Sequence, residues 1–214
     1  MTTRIAVLAS GRGSNLQAIL QAIAAGQLDA RVVGVFSDKP GALALQHVPP
    51  EARWSRDAKA FTDRAAFDAE LADAVAAAHP DWVICAGYMR ILGEAFVQRF
   101  SGRLLNIHPS LLPKYRGLRT HARALQAGDA EHGASVHFVV PELDAGAVVM
   151  QARVPVHGGD TPETLAVRVL EVEHPLLVAA LQLAASGRIS EQDGEAWLDG
   201  QPLFTPLQLQ FTAQ

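Results

Sequence analysis

A chain of 214 residues with 49% apolar and 19% charged side chains can bury a sizeable core and is too rich in apolar groups to be disordered. Its formal net charge of -4 argues against nucleic acid as a partner, while still allowing a small anion held by local positive potential. The single cysteine, Cys85, excludes an intramolecular disulfide; no stretch approaches the ~18 apolar residues of a membrane span, and the apolar run after Arg4 is too short for a signal peptide. A reduced, cytoplasmic setting and no membrane partner are therefore expected.

Short apolar runs alternate with helical patterns, which predicts an α/β chain: a Rossmann-like, mostly parallel sheet flanked by helices. Residues 5–9 form the first expected strand, 10–15 a turn, and a helix follows with Leu16, Ile19, Leu20 and Ile23 on one face before Gly26. Residues 31–36 are the second strand, and 41–60 have no readable period. A helix starts near Asp63, with Phe67, Leu71 and Val75 in line, and ends before Pro80. Residues 82–86 read as a buried strand carrying an inert thiol at Cys85, 93–100 as a short helix and 103–108 as a strand. A long loop then precedes a helix over 121–127 that Gly128 stops. Residues 135–140 and 147–156 read as strands whose polar alternation points to edge or partly exposed positions. The longest helix takes Thr161 as N-cap and Pro162 at its first position, runs to about Ala185, and meets Pro175 inside. Asp193-Gly194 marks a hairpin in the tail, so antiparallel strands are expected towards the C-terminus. No repeat or linker interrupts the pattern, and residues 1–214 read as one domain.

Three segments can carry chemistry. Ser10-Gly11-Arg12-Gly13-Ser14-Asn15 joins a strand to a helix, where glycines admit an anion to free N–H groups at the helix end. Leu16 stands where a dinucleotide fingerprint has its third glycine, and no Gly-Lys-Ser/Thr follows, so a single phosphate or an ordinary capped turn are the readings left. Asn106 and His108 alternate with Leu105 and Ile107, so both point the same way at a strand's carboxyl end, where open sheets bind ligands. An amide donor beside an imidazole suits a developing oxyanion, although a lone histidine is more often satisfied by a turn carbonyl. Asp144, in Asp144-Ala145-Gly146, is either a turn residue or a partner that would favour imidazolium at His108. His121, His132, His137 and His174 have no metal-ligand spacing, and no metal is expected. Residues 110–119 form a long basic loop that is either a lid or a solvated connection.

Taken together these motifs resemble the folate-dependent glycinamide ribonucleotide formyltransferases over essentially the whole chain. Asn106-Ile107-His108-Pro109-Ser110-Leu111-Leu112-Pro113 is similar to the signature of transferases that use 10-formyltetrahydrofolate, and Gly133–Val139 running on to Asp144-Ala145-Gly146 is similar to a second. The resemblance implies Asn106, His108 and Asp144 as catalytic, with Asn106 also touching folate. It implies Gly13, Ser14, Asn15 and Glu173 around 5-phosphoribosylglycinamide, and Arg64, Met89, Arg90, Ile91 and Leu92 around the folate. It also implies de novo purine biosynthesis as the setting, 10-formyltetrahydrofolate as co-substrate without a metal, and a monomer or homodimer. The N-terminal half would hold the ribonucleotide, and the C-terminal half the folate and the catalytic groups. Arg116 and Arg119 make the loop more basic than the family pattern, and Arg116-Gly117 resembles the methionyl-tRNA formyltransferases, which carry an extra C-terminal domain not expected here. A formyltetrahydrofolate hydrolase shares the Asn/His/Asp set, and it and a non-catalytic folate or sugar-phosphate binder are the alternatives.

Overall fold

The computed structural model describes residues 2–209. The first half alternates as expected: β1 (Thr3–Leu8), α1 (Ser14–Ala24), β2 (Ala30–Ser37), β3 (Arg53–Ser55), α2 (Arg64–Ala77), β4 (Trp82–Cys85), α3 (Glu94–Arg99) and β5 (Leu104–His108). There follow α4 (Thr120–Ala127), β6 (Glu131–Phe138), β7 (Val148–Pro155), α5 (Pro162–Ala185), β8 (Ile189–Gln192), β9 (Glu195–Leu198), β10 (Gln201–Pro202) and β11 (Leu207–Gln208). The unreadable stretch over 41–60 folds as three short 3₁₀ turns around β3, which explains its missing period.

Eight strands form one sheet in the order β11-β7-β6-β5-β4-β1-β2-β3. Strands β3 to β5 run parallel, β6 turns antiparallel to β5, and β7 turns antiparallel to β6. The hairpin expected at Asp193-Gly194 joins β8 to β9, and β10 completes a separate three-stranded sheet. No described helix is long and apolar enough to cross a membrane.

The sheet is covered on both faces, which is why its central strands read as unbroken apolar runs. In β1, Ile5 and Val7 pack into the layer shared with α1 and α5, while Ala6 and Leu8 pack into the layer shared with α2 and α3. Helix starts follow their side chains: Asp63 accepts the Ala66 N–H at the head of α2, and Thr161 and Thr164 form a reciprocal cap on α5. Helix α5 continues through Pro175, at the cost of one backbone donor.

The edge or partly exposed positions expected for residues 135–140 and 147–156 hold for the second strand, where Arg153 and Pro155 are exposed on either side of buried Val154, and are overturned for the first. β6 lies between β5 and β7, with residues 132–138 all buried, and β11 covers the far side of β7. Its alternating polar residues face a buried network rather than water. Ser135 Oγ donates to Ser110 O (2.7 Å) and accepts from Leu112 N (3.1 Å) and Gln151 Nε2 (2.9 Å). Cys85 is buried in β4, where desolvation, then the negative charge of Asp144, pushes its thiol up to about 12. That leaves it in the inert thiol form.

Candidate active site

Strand parity sends Asn106 and His108 to one face of β5, at its carboxyl end and beside the point where the sheet changes from parallel to antiparallel. In the β5/β6 ladder His137 lies directly opposite Asn106, and Ser135 opposite His108. Asp144 arrives from the β6–β7 connection with φ +48°. The return needs Gly146, where an added Cβ would stand 1.9 Å from the Phe138 carbonyl oxygen. The Asp144 carboxylate accepts the Gly117 N–H (2.8 Å) and lies 3.4 Å from His108 Nδ1. Its other oxygen is 3.5 Å from Asn106 Nδ2 and 3.7 Å from His137 Nε2. His108 Nε2 faces the Tyr115 carbonyl at 3.0 Å, and since a carbonyl only accepts, this nitrogen donates. The side chains of His108 and Asp144 are each 8% exposed, so a charge on either is screened little by water. The fold-back from residue 144 to residue 108, which spacing alone leaves open, is thus present.

The second region forms where α1 meets α5. Gly13 is the N-cap of α1 with φ +81°, and a Cβ there would stand 2.8 Å from Ala44, so both backbone conformation and packing call for glycine. No side chain caps this helix, so its first N–H groups keep their capacity for an anion. Two residues on, Asn15 Nδ2 donates to Glu173 Oε2 (3.2 Å) across 158 residues of sequence. Both side chains are buried, and Asn15 Oδ1 has no partner among the described residues. Burial pushes the Glu173 carboxyl up, with the Asn15 hydrogen bond pulling partly back.

The third region is the segment Met89–Leu92. Leu92 is buried in the α2/α3 layer, while Met89 and Ile91 are 64% and 50% exposed and offer apolar surface. Arg90 stacks its guanidinium 4.9 Å from the centre of the Phe67 ring. Arg64 Nε lies 3.4 Å from Asp68 Oδ2, which also accepts the Gly93 N–H (2.8 Å). The Tyr88 hydroxyl and Arg90 Nε are buried without partners among the described residues, and desolvation pushes the Tyr88 phenol strongly up. Ser10 ties this segment to the glycine loop: its Oγ accepts from Met89 N (2.9 Å) and donates to Asp38 Oδ1 (2.6 Å).

Four participants escaped the sequence reading. His137, the Tyr115 carbonyl and the Gly117 N–H join the strand-end cluster, and Ser10 joins two loops. Only His137 left a signal, since it shares parity with Ser135 and follows two residues later. That signal becomes readable once the β5/β6 register is known. The basic loop is less free in charge than its composition implies: Arg116 pairs with Glu142 (2.6 Å), while exposed Arg119 is the N-cap of α4. Beneath it His121 and His132 stand 3.2 Å apart, and burial takes His132 down to about 4.

Residues 3–181 match the family model described as formyl transferase. The phosphoribosylglycinamide formyltransferase of Escherichia coli (strain K12) is 48% identical over 201 residues, covering 93% of this chain and 95% of that protein. The enzyme of the same name from Haemophilus influenzae is 43% identical over 204 residues, covering 94% and 95%. The solved phosphoribosylglycinamide formyltransferase of Coxiella burnetii, in complex with CHES, superposes with a TM-score of 0.92 at 41% identity over 98% of this chain and all of that one. By family model, sequence identity and fold, the chain belongs to the formyl transferase family and, within it, to the phosphoribosylglycinamide formyltransferases.

Proposed function

We propose that the chain moves the formyl group of 10-formyltetrahydrofolate to the primary amine of 5-phosphoribosylglycinamide, with Asn106, His108 and Asp144 as the catalytic residues. The observation that carries this reading is the meeting of those three side chains at the end of β5. The amine attacks the formyl carbon, and the carbonyl oxygen becomes an oxyanion. Asn106 donates an N–H to it and protonated His108 stabilises it; the attacking nitrogen loses a proton to solvent, and as the carbonyl reforms and the C–N bond to folate breaks, His108 Nε2 supplies the proton that the leaving nitrogen takes. Asp144 keeps the other ring proton on Nδ1, so that Nε2 remains the donor. His108 Nε2 donates to Tyr115 O, so on this reading it exchanges that acceptor for the oxyanion.

Gly13, Ser14 and Asn15 take the phosphate at the uncapped head of α1, and Glu173 takes the ribose. The unpartnered Asn15 Oδ1 supports a polar ligand there. Met89, Arg90, Ile91 and Leu92, with Arg64 and Asn106, take the folate; the exposed Met89 and Ile91 beside two orphaned polar atoms fit a flat, partly polar ring. Remote binding of the phosphate serves to orient the distant amine. We read residues 1–214 as one such domain, acting in the cytoplasm as a monomer or homodimer.

The test is an assay of formylated ribonucleotide and of free formate, with and without 5-phosphoribosylglycinamide, repeated with His108→Ala. Ribonucleotide-dependent transfer that collapses in the variant is expected. Formate release that ignores the ribonucleotide would replace the transferase by a hydrolase, and tight folate binding without turnover would leave only a binding module.

A further inference from the structure

We propose that His137 is a positioning residue of this site, whose Nε2 accepts one N–H of Asn106 and thereby decides which end of that amide faces the cleft. The inference rests on the reading that Asn106 donates to the oxyanion. His137 is 1% exposed. Its Nδ1 lies 2.8 Å from the Phe138 carbonyl oxygen, which can only accept, so Nδ1 carries a hydrogen. A neutral ring with that tautomer leaves Nε2 as a bare lone pair, and Asn106 Nδ2 lies 3.0 Å from it. Burial takes His137 down to about 4, so the neutral form is the one present at neutral pH.

The second neighbour of the amide nitrogen is Asp144 Oδ1, at 3.5 Å, which is also an acceptor. With acceptors on both sides, the nitrogen end of the amide must face them. A reversed amide would set Oδ1 against a lone pair and a carboxylate. The two N–H groups are then unequal. One is committed to His137 at 3.0 Å, and the other is held loosely at 3.5 Å and can turn to a ligand oxygen. Were His137 an imidazolium, Nε2 would donate instead and the amide would invert, withdrawing the donor. The groups around His137 do not reverse its state: the Phe138 carbonyl and Asp144 favour the proton, while desolvation, the largest effect, opposes it together with Arg116 and with His108, edge-on with ring centres 6.5 Å apart. Strand pairing places the ring, since His137 and Asn106 are direct partners in the β5/β6 ladder.

The experiment compares His137→Gln, His137→Leu and Asn106→Ala, alone and as Asn106→Ala with His137→Leu, in the two-substrate assay. Gln can place Oε1 where Nε2 accepts; Leu fills space and accepts nothing. We expect His137→Leu to lower kcat about 10- to 100-fold with both KM values within about twofold, and His137→Gln to keep most of kcat. Adding His137→Leu to Asn106→Ala should cost little more, because the two act through one donor. Loss of kcat in His137→Gln equal to that in His137→Leu, or additive losses in the double variant, would make the role one of packing and overturn the proposal. Parent-like turnover in His137→Leu, with Asn106→Ala impaired, overturns it while leaving the Asn106 reading intact. Parent-like turnover in Asn106→Ala removes both. Nitrogen NMR of the unaltered protein at neutral pH gives an answer independent of how the variants fold: protonated Nδ1 with bare Nε2 on His137 is expected, and the opposite tautomer or an imidazolium overturns the proposal.

Discussion

The cluster at the end of β5 and the region where α1 meets α5 use their polar atoms in opposite ways. At the strand end, Asn106, His108, His137 and Asp144 face one another, and backbone groups of Tyr115, Gly117 and Phe138 complete the set. At the helix end, among the described residues, Asn15 Oδ1 has no partner, α1 has no side-chain cap, and Glu173 is a buried carboxyl held by a single amide. A cluster that satisfies itself is held in place before any ligand arrives, and such preorganised dipoles are what lower a barrier. A pocket with unmet donors and acceptors gains most when a ligand supplies the missing partner. Damage to the first should therefore appear in turnover, and damage to the second in affinity.

Asp144→Asn is the strongest way to break that comparison. It keeps the shape of the side chain but removes the charge beside His108, and turnover should fall about 10²- to 10³-fold with the melting temperature little changed. Near-parent turnover would mean that the satisfied cluster is not where the chemistry happens. Gly146→Ala should act through the backbone: with 1.9 Å between the new Cβ and Phe138 O, the connection must shift, costing about 3 kcal/mol of stability and moving Asp144 away from His108. A thermal melt matching the parent would show that this connection yields freely. Asn15→Ala removes the amide that faces Glu173, and the KM for the ribonucleotide should rise about 10-fold or more while the folate KM stays put. Equal rises in both constants would erase the distinction between the two regions.

The smallest effect is one of stability against pH. Burial raises the folded Glu173 carboxyl, so the folded state holds that proton more tightly than the unfolded chain. Its favourable contribution is full below the unfolded value of about 4.3 and is lost as pH rises through the folded one. Glu173→Gln should thus melt higher than the parent near neutrality, with the gain fading in acid, as calorimetry at several pH values would record. A gain that grows in acid would reverse the assigned sign. The same substitution should weaken ribonucleotide binding, which would identify a buried carboxylate retained for its ligand at the expense of stability.

Much of the fold was legible because local pattern and tertiary role agreed. Apolar runs such as that of β4 are runs because both faces of the sheet are covered, and Thr161-Pro162 marked the head of α5 by its own capping chemistry. The pattern misled at β6. There, polar alternation normally signals water on one face, but Ser135 and His137 spend their polarity on Ser110, Leu112, Asn106 and Phe138 inside the protein. The edge strand β3 was invisible because three residues are too short to show a period.

In the candidate site the same division holds. The sequence by itself determined that Asn106 and His108 share a face, because strand parity is local, and that Gly13 ends a tight turn into a helix, because only the next few residues enter. Tertiary structure alone decided that Asp144 returns to His108, that Asn15 meets Glu173, and that His137 stands opposite Asn106. Each of those contacts depends on strand register, helix packing or the close approach at Gly146, which bring together groups 31 to 158 residues apart.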